Sequence, residues 1–148
     1  MKRLLLLNGP NINLLGQRET DVYGSFTLQD IEDNLREIIE PHGFTLDSYQ
    51  SNSEGKLIDR LHLANGKYDG IIFNPAAYTH TSVALHDAIK AIDTPVIEVH
   101  ISNVYQRESF RHKSLTASAC IGQIVGFGQK SYELAALAFM NQVNYNGH

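Results

Sequence analysis

With 148 residues, 43% of them hydrophobic and 19% charged, the chain has the size and composition of one globular domain spanning 1–148, which fits neither an intrinsically disordered chain nor a highly charged nucleic-acid-binding tail. Twelve Lys and Arg against sixteen Asp and Glu give a net charge of −4 with the basic residues scattered, which argues against nucleic acid as a partner. No apolar run approaches the roughly 18 residues of a membrane span, and a lone cysteine, Cys120, cannot form an internal disulfide, so a cytoplasmic location is expected.

In chain order, residues 4–7 form a continuous apolar run and predict the first strand. Thr27, with Asp30 three residues on, resembles a capping box with a short carboxylate. Ile31, Leu35, Ile38 and Ile39 then make a helical stripe that stops at Pro41-His42-Gly43. Residues 44–49 alternate and predict a second strand. A helix from near Ser53 follows, carrying Leu57, Ile58, Leu61 and Ala64. Residues 71–73 predict a third strand, and a helix from near Thr81 carries Leu85, Ala88, Ile89 and Ile92. Strands are predicted at 96–99 and 121–125, with Cys120 a small buried apolar residue between them. A last helix over 131–141 is predicted to turn Leu134, Leu137 and Ala138 inward.

Alternating strands and helices predict an α/β protein, and nearly continuous hydrophobicity in the strands predicts a parallel sheet covered on both faces. Right-handed crossovers and five strands make a flavodoxin-like three-layer sandwich of order 2-1-3-4-5 the leading choice. Ligands of such sheets bind beyond the carboxyl ends of the strands, where strands 1 and 3 diverge. After strand 1 the chain takes a long excursion, 8–24, that contains Asn13, Arg18 and Tyr23. After strand 3 come Asn74 and His80, and after strand 4 come His100, Ile101, Ser102 and Arg111. Each has an ordinary reading too. Gly9-Pro10 and Asn74-Pro75 can be plain turns, Tyr23 a loop anchor, Arg18 a solvated cation, His80 a first-turn residue contacting water, and His100 a strand-end imidazole bonded to backbone. Their convergence on one edge favours a site.

Several chemistries are excluded by pattern. His80 and His86 are six apart with no accompanying ligand motif, so zinc is not expected. There is no Gly-x-Ser-x-Gly elbow, no P-loop ending, and no lysine near the candidate edge for a Schiff base. A site of Tyr, His, Arg and amides without cofactor or metal is expected. The rival on the same fold is a flavin-binding or receiver-type module. However, Pro10 removes a phosphate-binding donor, and Asn8 and Asn74 stand where a receiver needs acids.

The segments 6–16, 18–24, 51–55, 73–82 and 98–103, with Arg107, Phe110 and Arg111, resemble the type II 3-dehydroquinate dehydratases in order along essentially the whole chain. The resemblance implies a lyase that converts 3-dehydroquinate to 3-dehydroshikimate in the shikimate pathway. It implies that Tyr23 abstracts a proton beside the ketone to give an enolate. It further implies that His100 protonates the departing hydroxyl, that Arg18 on a mobile lid assists the tyrosine, and that Asn13 orients a water supporting the enolate. Asn74, His80, Ile101, Ser102 and Arg111 match substrate-binding positions. Asp87 matches one contributed by a neighbouring subunit in a dodecamer built from trimers.

Chemistry agrees with these roles. A free tyrosine, pKa about 10, is ionised in only about one part per thousand at pH 7, so a base needs a cation beside it. Arg18, five residues away, is the expected one. Glu98, two residues before His100 on the same strand face, reads either as an orienting group for His100 or as a plain buried ion pair. Asp87 sits roughly 200° around its helix from Leu85 and should point away from its own core.

Overall fold

The computed structural model describes residues 1–17 and 19–141. Five parallel strands, β1 (Lys2–Asn8), β2 (Phe44–Gln50), β3 (Gly70–Asn74), β4 (Val96–His100) and β5 (Gly122–Val125), form one sheet of order β2-β1-β3-β4-β5. The helices are α1 (Thr20–Tyr23), α2 (Leu28–Ile39), α3 (Glu54–Ala64), α4 (Val83–Ala91) and α5 (Lys130–Met140). The expected topology and class are met.

Alternation along the strands explains the two cores. Leu4 to Leu7 are all 0% exposed, although consecutive residues point to opposite faces. Leu4 and Leu6 join Ile72, Ile97 and Val99 under α2 and α5, while Leu5 and Leu7 join Ile71, Phe73 and Val96 under α3 and α4. Both faces of the central strands are therefore covered, as a run of four leucines requires. At the edge, β5 is only half-covered and begins one residue later than expected, leaving Ile121 outside the strand.

Local signals set the helix starts. Thr27 Oγ1 accepts from Asp30 N at 3.1 Å and Asp30 Oδ2 accepts from Thr27 N at 2.9 Å, so the short carboxylate does complete the capping box of α2. Ser53 and Ser82 cap α3 and α4 from one side only, each hydroxyl accepting from a first-turn backbone N–H.

One expectation is overturned. In α5 the inward residues are Tyr132, Ala135, Ala136 and Phe139, whereas Leu134 and Leu137 are 41% and 44% exposed and Ala138 lies at the fringe of the core. The helix is apolar on several sides, so two stripes compete. The one that wins carries two aromatics, whose larger area dominates burial. It also fits the sheet, because a Cβ on Gly70 would lie 2.5 Å from the Phe139 ring.

The site's location follows from the topology. The segment after β1 leads to α2 on one face, while the segment after β3 leads to α4 on the other, and a crevice opens between them. The two strand ends meet closely there. Gly9 N donates to Asn74 O at 2.7 Å, and a Cβ on Gly9 would come within 2.6 Å of Pro75 O.

Candidate functional site

A cleft of about 150 Å³ lies at that crevice. Tyr23, Asn74, His80, His100, Ile101, Ser102 and Arg111 all line it, so three separate loops bring together most of the residues expected from the sequence. Pro10, Asn11 and Ile12 supply the wall from the first loop. Asn13 is exposed and outside that wall, its Oδ1 accepting from Gln50 Nε2 at 3.4 Å. Asp87 is exposed on α4 and also outside the cleft, as its helical position required. Arg18 lies outside the described residues.

Tyr23 ends the single turn α1, entered through Glu19 at φ 42° and left through Gly24 at φ 88°. Its phenolic oxygen accepts a hydrogen bond of 2.7 Å from Arg107 Nη1, and the same guanidinium stands 5.1 Å from the ring centre. Arg107 comes from the loop after β4 and also donates to Ser102 Oγ at 3.3 Å. A cation in this place stabilises negative charge on the phenolic oxygen. The sequence points to a cation for Tyr23 but to Arg18. The 84-residue separation between Arg107 and Tyr23 leaves no local signal for this pair.

His100 ends β4 and is 6% exposed. Its Nε2 lies 2.9 Å from Glu98 Oε2, and Glu98 is 0% exposed. Four donors converge on that carboxylate: His100, Ser114 Oγ at 2.9 Å, Gln123 Nε2 at 2.8 Å, and Thr116 Oγ1 on the other oxygen. Burial pushes the Glu98 carboxyl up, but the His100 bond and charge and the Thr116 and Ser114 hydroxyls outweigh it and hold the group below its usual value. Glu98 is thus a carboxylate that accepts from His100 Nε2, and among the described residues Nε2 is the ring nitrogen with a protein partner.

The remaining groups carry their own orientation. His80 Nδ1 donates to Lys113 O at 2.8 Å, which leaves Nε2 as an acceptor in a neutral ring. Burial lowers the His80 pKa, only partly opposed by that carbonyl, and so favours the neutral form. Arg111 Nε donates to Glu108 Oε1 at 3.0 Å, with its guanidinium 4.9 Å from the Phe110 ring. Burial, with a smaller push from the Glu98 charge, raises the pKa of Cys120 and keeps that thiol protonated. No lysine lines the cleft, and among the described residues no group of three or more His, Cys, Asp and Glu could hold a metal ion. No helix among them is long and apolar enough to cross a membrane.

Sequence reasoning missed Ser114, Thr116, Gln123 and Tyr132, and gave Arg107 no role. Ser114 and Thr116 lie in an irregular segment without periodicity, and their partners are fixed only when that segment folds back over β4.

A family model described as Dehydroquinase class II matches residues 2–140. A 3-dehydroquinate dehydratase of Bacillus mycoides (strain KBAB4) is 57% identical over 97% of this chain and 98% of its own. Two crystal structures are similar throughout. The type II dehydroquinase of Butyrivibrio crossotus DSM 2876 has a TM-score of 0.91 and 43% identity over 95% of this chain and 98% of that one. The type II dehydroquinase of Propionibacterium acnes has a TM-score of 0.92 and 38% identity over 96% and 98%.

Proposed function

The chain belongs to the class II dehydroquinases, hydro-lyases that act on 3-dehydroquinate, and from that premise we propose how its own residues remove water from this substrate. Tyr23, as phenolate beside Arg107, takes the proton from the carbon next to the ketone, and the electron pair left behind becomes an enolate. The enolate collapses to the enone as the carbon–hydroxyl bond breaks. His100 gives its proton to the departing oxygen, so water leaves rather than hydroxide. Transfer of the proton from Tyr23 back to His100, directly or through solvent, restores both groups.

Glu98 accepts from Nε2, so the acid is the other ring nitrogen, Nδ1, in a doubly protonated imidazole. The buried carboxylate stabilises that cation until the proton is spent. By the family resemblance, Arg18 assists Tyr23 and Asn13 orients a water that supports the enolate. Asn74, His80, Arg111 and the backbone at Ile101 and Ser102 hold the carboxylate and hydroxyls of the substrate. Neither a metal nor a lysine imine takes part, so activity should survive chelators and borohydride in the presence of substrate.

One observation carries the reading: a phenol gripped by a guanidinium and an imidazole gripped by a buried carboxylate face the same cleft. The test is absorbance of the conjugated enone after addition of 3-dehydroquinate to the purified protein, and no growth in absorbance overturns it. A single catalytic domain working in the cytoplasm, in aromatic biosynthesis, belongs to the same reading.

From the family resemblance we propose an assembly of trimers in a dodecamer, in which Asp87, exposed on α4, completes a neighbour's site. Activity then disappears with dissociation. A fully active monomer in sedimentation under assay conditions removes that role from Asp87.

A further inference from the structure

Beneath the cleft, Asn8 at the end of β1 stands opposite Asn74 at the end of β3, and a phenol from α5 bridges the two amides. Asn74 Nδ2 donates to Tyr132 Oη at 2.9 Å, and Tyr132 Oη donates to Asn8 Oδ1 at 2.7 Å. Tyr132 and Asn8 are 0% exposed and Asn74 is 3% exposed.

The direction of this chain is forced. Burial raises the Tyr132 pKa, so the hydroxyl keeps its proton and has one to give. With an amide N–H already pointed at the phenolic oxygen, that proton goes to the acceptor end of Asn8. A reversed Asn8 amide would set two donors on one phenol and leave its proton without an acceptor. The present arrangement leaves Asn8 Nδ2 buried without a hydrogen-bond partner among the described residues. The protein tolerates an unsatisfied buried amide to keep this polarity.

The other end of the Asn74 amide is assigned as well. Its Oδ1 accepts from Ala76 N at 2.9 Å, where Ala76 adopts φ 54°. The oxygen is oriented by its bond from Ala76 N and one N–H is given to Tyr132, so the second N–H is the donor left for the cleft.

We propose that Tyr132 is a positioning residue, which locks the Asn74 amide so that it offers an N–H and not a carbonyl to the substrate. The substrate atom at that point is therefore an acceptor, a carboxylate or hydroxyl oxygen. This inference rests on the reading that Asn74 touches the substrate.

The experiment compares the wild type, Tyr132→Phe, Asn74→Ala and the double variant by kcat, KM and thermal unfolding. Tyr132→Phe should raise the KM for 3-dehydroquinate about tenfold, the size expected from one misplaced hydrogen bond, and change kcat less than about threefold. On the Asn74→Ala background the same substitution should leave KM unchanged, because Tyr132 acts through Asn74. Asn8→Ala, which takes away the phenol's acceptor, should give the same pattern and serves if Tyr132→Phe does not fold. A Tyr132→Phe protein that loses stability with a wild-type KM, or that raises KM equally on both backgrounds, overturns the proposal. A wild-type KM in Asn74→Ala overturns it too, while the dehydratase activity still stands. If the wild type shows no dehydration, the activity reading fails instead. Nitrogen-15 NMR of the Asn74 side-chain amide then decides the positioning role: a changed resonance in Tyr132→Phe supports it, and an unchanged one overturns it.

Discussion

The two sides of the cleft are built differently. Tyr23 sits on a single helical turn, half-buried, and its oxygen is held by an arginine from a different loop. His100 ends a central strand, is almost fully buried, and is held by a carboxylate that itself has four donors. The base stands on a short turn held from another loop, whereas the acid is fixed by the sheet. Substitutions should therefore separate rate from stability on the Tyr23 side and couple them on the His100 side.

The largest expected effect is on rate. Tyr23→Phe and His100→Ala should each lower kcat by about 10² to 10⁴, the range of general acid–base catalysis. Tyr23→Phe should leave thermal unfolding within about 0.5 kcal/mol of the wild type, since only a half-buried oxygen is lost. Retention of more than about a tenth of the wild-type rate removes Tyr23 as the base.

Next comes Arg107→Ala, which should lower kcat by about 10² with little change in stability, while Arg107→Lys recovers part of the rate by restoring the charge without the fork. Equal rates in Arg107→Ala and the wild type would assign the tyrosine's cation elsewhere, with Arg18 the remaining candidate.

Glu98→Gln sharpens the contrast because it should cost both quantities. We expect about tenfold to hundredfold in kcat. A further 1 to 3 kcal/mol, roughly, should be lost in stability, because an amide N–H₂ faces donors that need an acceptor. The pH dependence has a definite sign. The folded Glu98 carboxyl lies below its ordinary 4.5. Its stabilisation is therefore complete above that value and is lost as pH falls through the lower folded one. Thermal unfolding from pH 7 to pH 3 should show an acid-dependent loss in the wild type that is smaller in Glu98→Gln. Parallel curves would mean that the carboxylate is not stabilised by folding.

The smallest expected effect belongs to Thr116, which gives one of the four donors to Glu98 and is itself 0% exposed. Thr116→Val should cost about 1 kcal/mol of stability and a few-fold in rate, and Thr116→Ser should restore most of the rate. Failure of serine to rescue would show that the methyl group's packing matters more than the hydroxyl.

What the sequence by itself determined is what depends on local periodicity and on chain order. Four consecutive leucines at 4–7 can only be buried on both faces of a covered strand, and Thr27 with Asp30 marks a helix start whatever the rest of the chain does. The order of these elements places Tyr23, Asn74 and His100 at or beyond three strand ends, and parallel topology then brings those ends to one edge. The tertiary structure alone decided the partners. Arg107 reaches Tyr23 across 84 residues, Thr116 reaches Glu98 across 18, and Tyr132 reaches Asn8 across 124. It also decided which stripe of α5 turns inward, because an all-round apolar helix is oriented by the shape it meets, here the space left by Gly70 for Phe139. Hydrogen bonds between distant residues and the fit of one surface to another have no period along the chain, so they form only once the sheet has brought the segments together.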